Sequence, residues 1–169
     1  RTPEVLEILE RYGIKGTFFV VNQGTEQSRQ WMRDIVAAGH TIGVHSYTHD
    51  YETVYSSVEA YLDDFAQMYD EILEATGVAP QIFRFPGGSI NAYNGQIYQE
   101  IISEMTRRGF VYYDWNRMTG DAVRRTPSAA VLAKNALSDI RATDRIILLA
   151  HDSKRYTNMV AALPDIIEG

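Results

Sequence analysis

The chain has 169 residues, of which 45% are apolar and 22% are charged, so its composition is that of a folded domain with a buried core. The net charge is −6, from 16 basic and 22 acidic residues, and the basic residues form no cluster. Nucleic acid is therefore excluded as an expected partner, and the absence of cysteine excludes disulfides and thiolate metal sites.

Helical and extended patterns alternate along the chain. The helix over 56–77 has clear end signals, because Ser56 and Glu59 fit a capping box and Gly77 fits a helix stop. We predict further helices over 1–13, 26–38, 96–108, 126–140 and from about 159. We predict strands over 16–21, 41–44, 81–85, 110–115 and 145–150.

This order of elements predicts one α/β domain over residues 1–169. Helices that alternate with strands indicate a parallel sheet covered by helices. Five strands are too few for a closed eight-stranded barrel, so we expect an open sheet, or a barrel whose other pieces lie beyond these ends. Because the chain starts on RTPEVLEILE without Met and ends on LPDIIEG within a helical pattern, we expect it to be cut from a longer protein.

Polar side chains gather near the ends of the predicted strands. His45, Arg84 and His151 each lie at or directly after the end of a strand pattern, and Asp121 lies in the loop that follows another. In parallel α/β folds the carboxyl edge of the sheet is where functional sites are built. We therefore expect these four segments to converge on an active site.

His45 and His49 stand four positions apart in GVHSYTHD, in a chain with only four histidines. Neutral imidazole is a good ligand for zinc and similar divalent ions, and this spacing brings two rings together. The pair fits a metal site and equally fits two surface histidines, or a helix cap formed with Ser46 and Thr48. Two ligands do not complete a catalytic zinc site, so a third has to come from elsewhere.

The other two histidines favour different interpretations. His151 follows a strongly apolar strand pattern and has Asp152 beside it, which fits a hydrogen-bonded core residue, a metal ligand, a supporting residue or a general acid. Asp121 could cap a turn, or it could reach His151 and favour its protonated, acid form. We interpret His40, which follows a helix end, as structural.

Arg84 lies in an apolar strand pattern and is followed by a glycine-rich turn. A buried guanidinium needs an anionic partner, which is either any structural carboxylate or a catalytic one. The turn PGGS, over residues 86–89, gives a ligand close access to backbone N–H groups that could stabilise an oxyanion, although it is first of all a turn. Trp115 and the pair Tyr112–Tyr113 fit a core or a flat surface for a sugar ring.

The segments HSYTH, RFPGG, WNRMTGDA and LLAHD, in this order and spacing, resemble the polysaccharide deacetylase family, carbohydrate esterase family four. TPEVLEILERYGIKGTFFVV is similar to the family's stretch between its first and second motifs, so the resemblance spans nearly the whole chain. It implies a distorted (β/α) barrel of parallel strands, here incomplete at both ends. It also implies a divalent metal, Zn²⁺ or alternatively Co²⁺ or Ni²⁺, and removal of N-acetyl or O-acetyl groups from polysaccharides.

The resemblance also assigns roles to matching positions. Pro86 and Trp115 are expected to contact substrate. His45 and His49 are expected to bind the metal, and Arg84 to orient the catalytic base. The backbone N–H of Gly87 is expected to form part of the oxyanion hole. His151 is expected to be the catalytic acid, tuned by Asp121, and Leu149 to line the acetyl pocket.

Two departures from the family pattern matter. The family's first motif, Thr-Phe-Asp-Asp-Gly, supplies the catalytic base and the third metal ligand, and belongs a few residues before Thr2, outside the printed sequence. Ala122 stands where many members have tryptophan, so that wall of the substrate groove is expected to be either missing or formed by another residue such as Trp115.

The pairing of RFPGGS with YYDWN resembles the peptidoglycan-directed branch of the family. We therefore expect N-acetylglucosamine in peptidoglycan as the substrate, a monomer outside or on the surface of a bacterium, and membrane attachment only through segments outside this chain. Chitin oligomers and acetylxylan remain alternative substrates. A non-catalytic carbohydrate-binding remnant, or a structural module in which the histidines have no role, remains an alternative function.

Overall fold

The computed structural model describes residues 1–125, 127–141 and 144–169. In chain order its elements are α1 (Thr2–Arg11), β1 (Thr17–Val21), α2 (Glu26–Ala37), β2 (Thr41–Ser46), α3 (Tyr51–Val54), α4 (Val58–Thr76), β3 (Ile82–Phe83), α5 (Tyr98–Arg107), β4 (Val111–Tyr112), β5 (Arg117–Met118), α6 (Ala129–Leu137), β6 (Leu148–Leu149) and α7 (Thr157–Glu168).

These elements form two compact units. Gly16–Asp114 is the four-stranded unit, and Arg1–Lys15 together with Trp115–Gly169 is the two-stranded unit. The prediction of a single domain over residues 1–169 is not tested by this division and stays a prediction.

The four-stranded unit is built on a parallel sheet with the strand order β1-β2-β3-β4. Parallel neighbours cannot be joined by a tight hairpin, so a helical crossover leads from each strand to the next. Tyr61 and Phe65, one turn apart on α4, pack their rings on Phe85 and Phe83, with ring centroids 5.3 and 5.6 Å apart. This apolar contact fixes the start of α4 against the carboxyl ends of the central strands.

The two-stranded unit pairs β5 with β6 in parallel, Arg117 opposite Leu148 and Met118 opposite Leu149. Its core lies between α6 and α7, where Leu132, Met159 and Ala162 are buried. The prediction of a parallel α/β fold is confirmed in both units, and among the described residues the strands form two separate sheets rather than a closed barrel.

Several predicted boundaries need correction. Strand β2 runs on to Ser46 and therefore contains His45, whereas the strands predicted over 81–85, 110–115 and 145–150 shrink to two residues each. Strand β5 and the short helix α3 were not predicted. The helix predicted over 126–140 is Ala129–Leu137, and Thr126 lies outside the described residues.

The cap predicted for α4 is wrong by one residue. Ser57, not Ser56, is the N-cap, and its Oγ accepts the backbone N–H of Ala60 at 3.1 Å. The Ser56 hydroxyl instead donates to the Thr53 carbonyl at 2.7 Å, because the preceding helix α3 ends there. The predicted stop at Gly77 is confirmed, since this residue has φ of 73° and stands in the left-handed region that glycine adopts without strain.

No helix in the described part of the chain is both long enough and apolar enough to cross a membrane.

Candidate active site

His45 and Arg84 lie side by side at the carboxyl ends of neighbouring strands. The backbone N–H of Arg84 donates to the Val44 carbonyl at 2.9 Å, which continues the β2–β3 ladder. In the same register the His45 Nδ1 lies 2.7 Å from the Arg84 carbonyl oxygen. Because a carbonyl only accepts, Nδ1 carries the proton in this contact, and in the neutral ring Nε2 is then the atom with a lone pair for a metal.

His49 lies close to His45, at the end of the hydrogen-bonded segment 46–49. Their ring centroids are 5.2 Å apart. The backbone of His49 has φ of 55°, a left-handed conformation that a non-glycine residue rarely adopts and that the surrounding hydrogen bonds have to hold. His49 is exposed and its ring also lies against Tyr51, with centroids 5.4 Å apart. The structure therefore brings the two predicted ligands together, on the surface of the four-stranded unit.

Arg84 is held by an aromatic ring and by backbone carbonyls. Its guanidinium carbon lies 4.5 Å from the centre of the Phe19 ring, and Nε donates to the Tyr113 carbonyl at 2.8 Å. Burial lowers the pKa of Arg84 below its ordinary value, and the nearby negative charge of Asp114 opposes that shift. These contacts fix the side chain, whereas the predicted role of Arg84 in orienting a catalytic base is not tested and stays a prediction.

The PGGS turn is fixed by side chains on both sides. Pro86 is buried, and its carbonyl accepts the Tyr55 hydroxyl at 2.7 Å and the Asn91 amide at 3.1 Å. Asn91 also donates to the Gly88 carbonyl at 3.1 Å, so one side chain binds the carbonyls on both sides of Gly87 in the sequence, those of Pro86 and Gly88. Gly87 itself is exposed and has φ of 77°, a left-handed conformation that glycine adopts without strain.

In the two-stranded unit, Asp121 holds His151. The Asp121 Oδ1 lies 2.9 Å from His151 Nδ1, and Oδ2 accepts the His151 backbone N–H at 2.8 Å. The Asp121 side chain is only 2% exposed, whereas that of His151 is 38% exposed. Burial alone would raise the pKa of Asp121, but the hydrogen bonds from the His151 ring and backbone outweigh it, so the pKa lies below the ordinary value. The predicted contact of Asp121 with His151 is confirmed.

Leu149 ends β6 two residues before His151. It is half-buried, and its carbonyl accepts the Thr119 backbone N–H at 3.1 Å. Trp115 is also half-buried, at the start of the second segment of this unit. The substrate contacts predicted for Leu149, Trp115 and Pro86 stay predictions.

His40 has the structural environment that the sequence predicted for it. It is buried, and its Nδ1 accepts the backbone N–H of Gly16 at 3.0 Å. Tyr112 likewise belongs to the core of the four-stranded unit, because its ring packs on Phe85 with centroids 5.4 Å apart, whereas Tyr113 is exposed.

Two residues that organise these loops were missed. Asp64 of α4 binds the segment between the paired histidines, and the fully buried Asn94 donates to the Ser89 carbonyl at 3.1 Å. Asp64 acts on residues 16 to 18 positions earlier in the chain, so no local pattern marks it. The motif N-A-Y-N, with Asn91 and Asn94 three residues apart, is the one signal that could have indicated a side-chain-bonded loop.

The described residues include two side chains of a type that could hold a metal ion. The imidazole nitrogens of His45 and His49 are of the type that zinc prefers, and the carbonyl contact orients the His45 ring as in many zinc sites. Within 1–125, 127–141 and 144–169, no group of three or more His, Cys, Asp or Glu side chains is arranged to hold a metal ion. The pair therefore fits two positions of a tetrahedral site, and the third ligand is not among the described groups.

The comparisons with known proteins indicate the same family as one another. The family model "Polysaccharide deacetylase" matches residues 1–106. A peptidoglycan-N-acetylglucosamine deacetylase of Bacillus cereus is 28% identical over 177 residues, which is 99% of this chain and 60% of that protein. A bifunctional xylanase/deacetylase of Pseudobutyrivibrio xylanivorans is 32% identical over 171 residues, 99% of this chain and 26% of that protein.

Solved structures agree with the sequence matches. The catalytic domain of a peptidoglycan N-acetylglucosamine deacetylase from Eubacterium rectale has a TM-score of 0.91 and 34% identity, and the alignment covers 99% of this chain and 76% of that domain. The chain thus spans about three-fifths of the Bacillus cereus relative and about a quarter of the bifunctional one.

Proposed function

The chain belongs to the polysaccharide deacetylase family, and from this premise we propose that it removes N-acetyl groups from N-acetylglucosamine residues of a polysaccharide, with peptidoglycan as the substrate. The single observation that carries the proposal is the pair of hydrogen bonds that Asp121 accepts from the backbone and the ring of His151. Hydrolysis of an acetamide needs an acid that protonates the leaving amine, and a histidine oriented by a carboxylate can serve as that acid.

The proton that His151 gives is located on Nε2. The Asp121 carboxylate can only accept, so its contact with Nδ1 keeps a proton on that atom and orients the ring. In the imidazolium form the second proton of the ring is on Nε2, and this is the proton available to a leaving amine. With 38% of its side chain exposed, His151 can reach a substrate amine, whereas the buried Asp121 acts only through it.

The proposed metal is a divalent ion, Zn²⁺ before Co²⁺ or Ni²⁺, with His45 and His49 among its ligands. When bound, such an ion polarises the acetyl carbonyl and acidifies a water molecule. The chain's own contribution is a preset ligand geometry, because the Arg84 carbonyl fixes the His45 tautomer at 2.7 Å. The family resemblance assigns the base and the third ligand to the motif Thr-Phe-Asp-Asp-Gly, which the printed sequence does not contain.

Gly87 is proposed to supply a backbone N–H for the oxyanion. The reaction converts a planar acetyl carbonyl into a tetrahedral oxyanion, which a preorganised N–H donor stabilises. Preorganisation of this donor is supported by Tyr55 and Asn91, which both bind the Pro86 carbonyl, the other half of the peptide group that carries the Gly87 N–H. Leu149, Pro86 and Trp115 are proposed to contact the substrate, as the family resemblance implies.

Peptidoglycan lies outside the cytoplasmic membrane, so we also propose that the protein acts at the surface of a bacterium or beyond it, as a monomer. Acetylxylan is the second candidate substrate, because one relative is named as a xylanase/deacetylase. Chitin oligomers carry the same N-acetylglucosamine unit as the proposed substrate.

The test is acetate release from three acetylated polymers by one preparation of the natural protein supplied with Zn²⁺. Peptidoglycan, chitin oligomers and acetylxylan are compared at equal acetyl content, and His151→Ala serves as the matched inactive control. We expect peptidoglycan to be the preferred substrate. A higher kcat/KM on acetylxylan would overturn the choice of substrate, and binding of glycan without any acetate release would overturn catalysis and support a carbohydrate-binding function.

A further inference from the structure

Asp64 binds four donors of the segment between the two histidines. Its Oδ2 accepts the Ser46 hydroxyl at 2.7 Å and the Tyr47 backbone N–H at 2.9 Å. Its Oδ1 accepts the backbone N–H and the hydroxyl of Thr48, both at 2.8 Å. Both carboxylate oxygens are thus used by three consecutive residues, Ser46 to Thr48.

A fifth hydrogen bond extends this arrangement to His49. The Ser46 Oγ, which donates to Asp64, also accepts the backbone N–H of His49 at 2.9 Å. This contact lies at the residue whose backbone has φ of 55°. The rare conformation of His49 is therefore held by a chain of hydrogen bonds that starts at Asp64.

The burial of Asp64 shows that this arrangement is specific. The residue is 6% exposed, and a carboxylate is costly to bury unless charge-assisted hydrogen bonds replace its water. Helix α4 supplies the rigid base, because Tyr61 and Phe65 on either side of Asp64 are packed into the core. The neighbouring Asp63, with the same charge on the same helix, is exposed and has no such role.

We propose that Asp64 is a positioning residue for metal binding, which fixes the backbone of residues 46–49 and thereby presents the His49 imidazole beside that of His45. This inference rests on the proposed function, in that the ligand of the two histidines is a divalent ion of the zinc type. Asp64 itself contacts backbone and hydroxyl groups, and acts on the metal only through the histidine that it places.

The first readout is local and needs no metal. Asp64→Asn replaces one acceptor oxygen by an N–H₂ group, which cannot accept the donors that now face it. We expect backbone amides of Tyr47, Thr48 and His49 to exchange with solvent about 10- to 100-fold faster, in excess of the change that the global free energy of unfolding accounts for. Exchange that changes only in proportion to global stability would overturn the positioning role.

The second readout is affinity for Zn²⁺ and Co²⁺, measured by calorimetry on the folded proteins. Outer hydrogen-bond partners of metal ligands typically affect affinity by about 10- to 100-fold, and we expect a loss of that size in Asp64→Asn. Equal affinity in Asp64→Asn and the wild type would overturn the inference even if the variant is less stable. If the wild type binds neither ion, the metal function itself fails, whereas the exchange measurement still tests the positioning of the loop.

Two matched variants separate geometry from charge and from folding. Asp63→Asn removes one negative charge from the adjacent, exposed position, and we expect it to leave both readouts unchanged. Ser46→Ala keeps the Asp64 charge but removes the link to His49, and we expect faster exchange of the His49 amide and weaker metal binding. Affinity that falls equally in Asp63→Asn and Asp64→Asn would show that only charge matters, and would contradict the proposal.

Discussion

Asp121 binds His151 at two points, with one carboxylate oxygen 2.9 Å from the ring Nδ1 and the other 2.8 Å from the backbone nitrogen. The two contacts fix the position of the residue as well as the orientation of its ring. A histidine that follows an apolar strand is usually read as part of the core, but this one keeps 38% of its side chain exposed while its partner is buried. This arrangement supports the proposed role of His151 as the acid, with Asp121 as its buried partner.

The stability of the protein is expected to depend on Asp121 in a defined pH range. Asp121→Asn removes a buried acceptor, and we expect it to lower the free energy of unfolding at pH 7 by about 1.5–3 kcal/mol. Because the folded-state pKa of Asp121 lies below its ordinary value of 3.8, the stabilisation is present above that value and is lost as pH falls through the lower folded-state value. Urea unfolding of both proteins from pH 7 down to about pH 2 measures the difference.

The control for this experiment is Asp63→Asn, at an exposed position, which is expected to change stability by no more than about 0.5 kcal/mol at any pH. A stability difference between Asp121→Asn and the wild type that stays constant or grows on acidification would contradict the assignment of the carboxylate as the stabilising form.

Substitutions of His49 and of His151 are expected to reduce activity for different reasons. His49→Ala removes a proposed metal ligand, so we expect metal content to fall to background together with activity. His151→Ala removes the proposed acid, so we expect metal content to stay at the wild-type level while kcat falls by about 10²- to 10⁴-fold. Metal analysis of the dialysed proteins and acetate release measure the two effects separately. Equal loss of metal in both variants would refute this division of roles.

Gly87 and Gly77 provide a matched pair for the oxyanion proposal. Both have left-handed backbones, with φ of 77° and 73°, so an alanine costs about 1–2 kcal/mol of stability at either position. A Cβ at Gly87 would lie 3.1 Å from the Tyr51 ring, whereas a Cβ at Gly77 would meet nothing within 4 Å. We expect Gly87→Ala to lower kcat at least about tenfold with metal content unchanged, since one such donor is worth more than that in known cases.

Gly77→Ala is expected to lose a comparable amount of stability and to retain activity. Gly77 lies at the C-terminal end of α4, whereas the histidine segment precedes the N-terminal end of this helix in the sequence. Thermal unfolding and initial rates of both variants test this. Similar activity losses in the two variants would show that backbone strain, not the position of the Gly87 N–H, is responsible.

Local signals explain which parts of the fold were predictable. Glycine at a helix end has a direct physical cause, so Gly77 was identified correctly, and the apolar strand 16–21 was found within one residue. Two adjacent serines at 56 and 57 offer the same cap, and only the end of α3 decides that Ser57 takes it. A four-residue helix such as α3 has no periodic signal to read.

The residues of the candidate site could be selected from the sequence by their type, and of the contacts described above the one between Asp121 and His151 was predicted. His45, His49 and His151 were selected because the chain has only four histidines and because imidazole is a common metal ligand and general acid. The supports of these residues are a backbone carbonyl for His45 and the distant Asp64 for His49. Neither has a sequence signal, since carbonyls are the same in every residue and Asp64 looks like any other charge on a solvated helix.

The most direct test of the central claim is acetate release from N-acetylated peptidoglycan by the natural protein before metal removal, after stripping with a chelator, and after return of Zn²⁺. The account predicts release of acetate with an equal amount of free glucosamine amine, its loss on stripping, and its recovery with the metal. Release that persists in demonstrably metal-free protein would contradict the metal-dependent mechanism. No release in the presence of excess Zn²⁺ would contradict deacetylation itself.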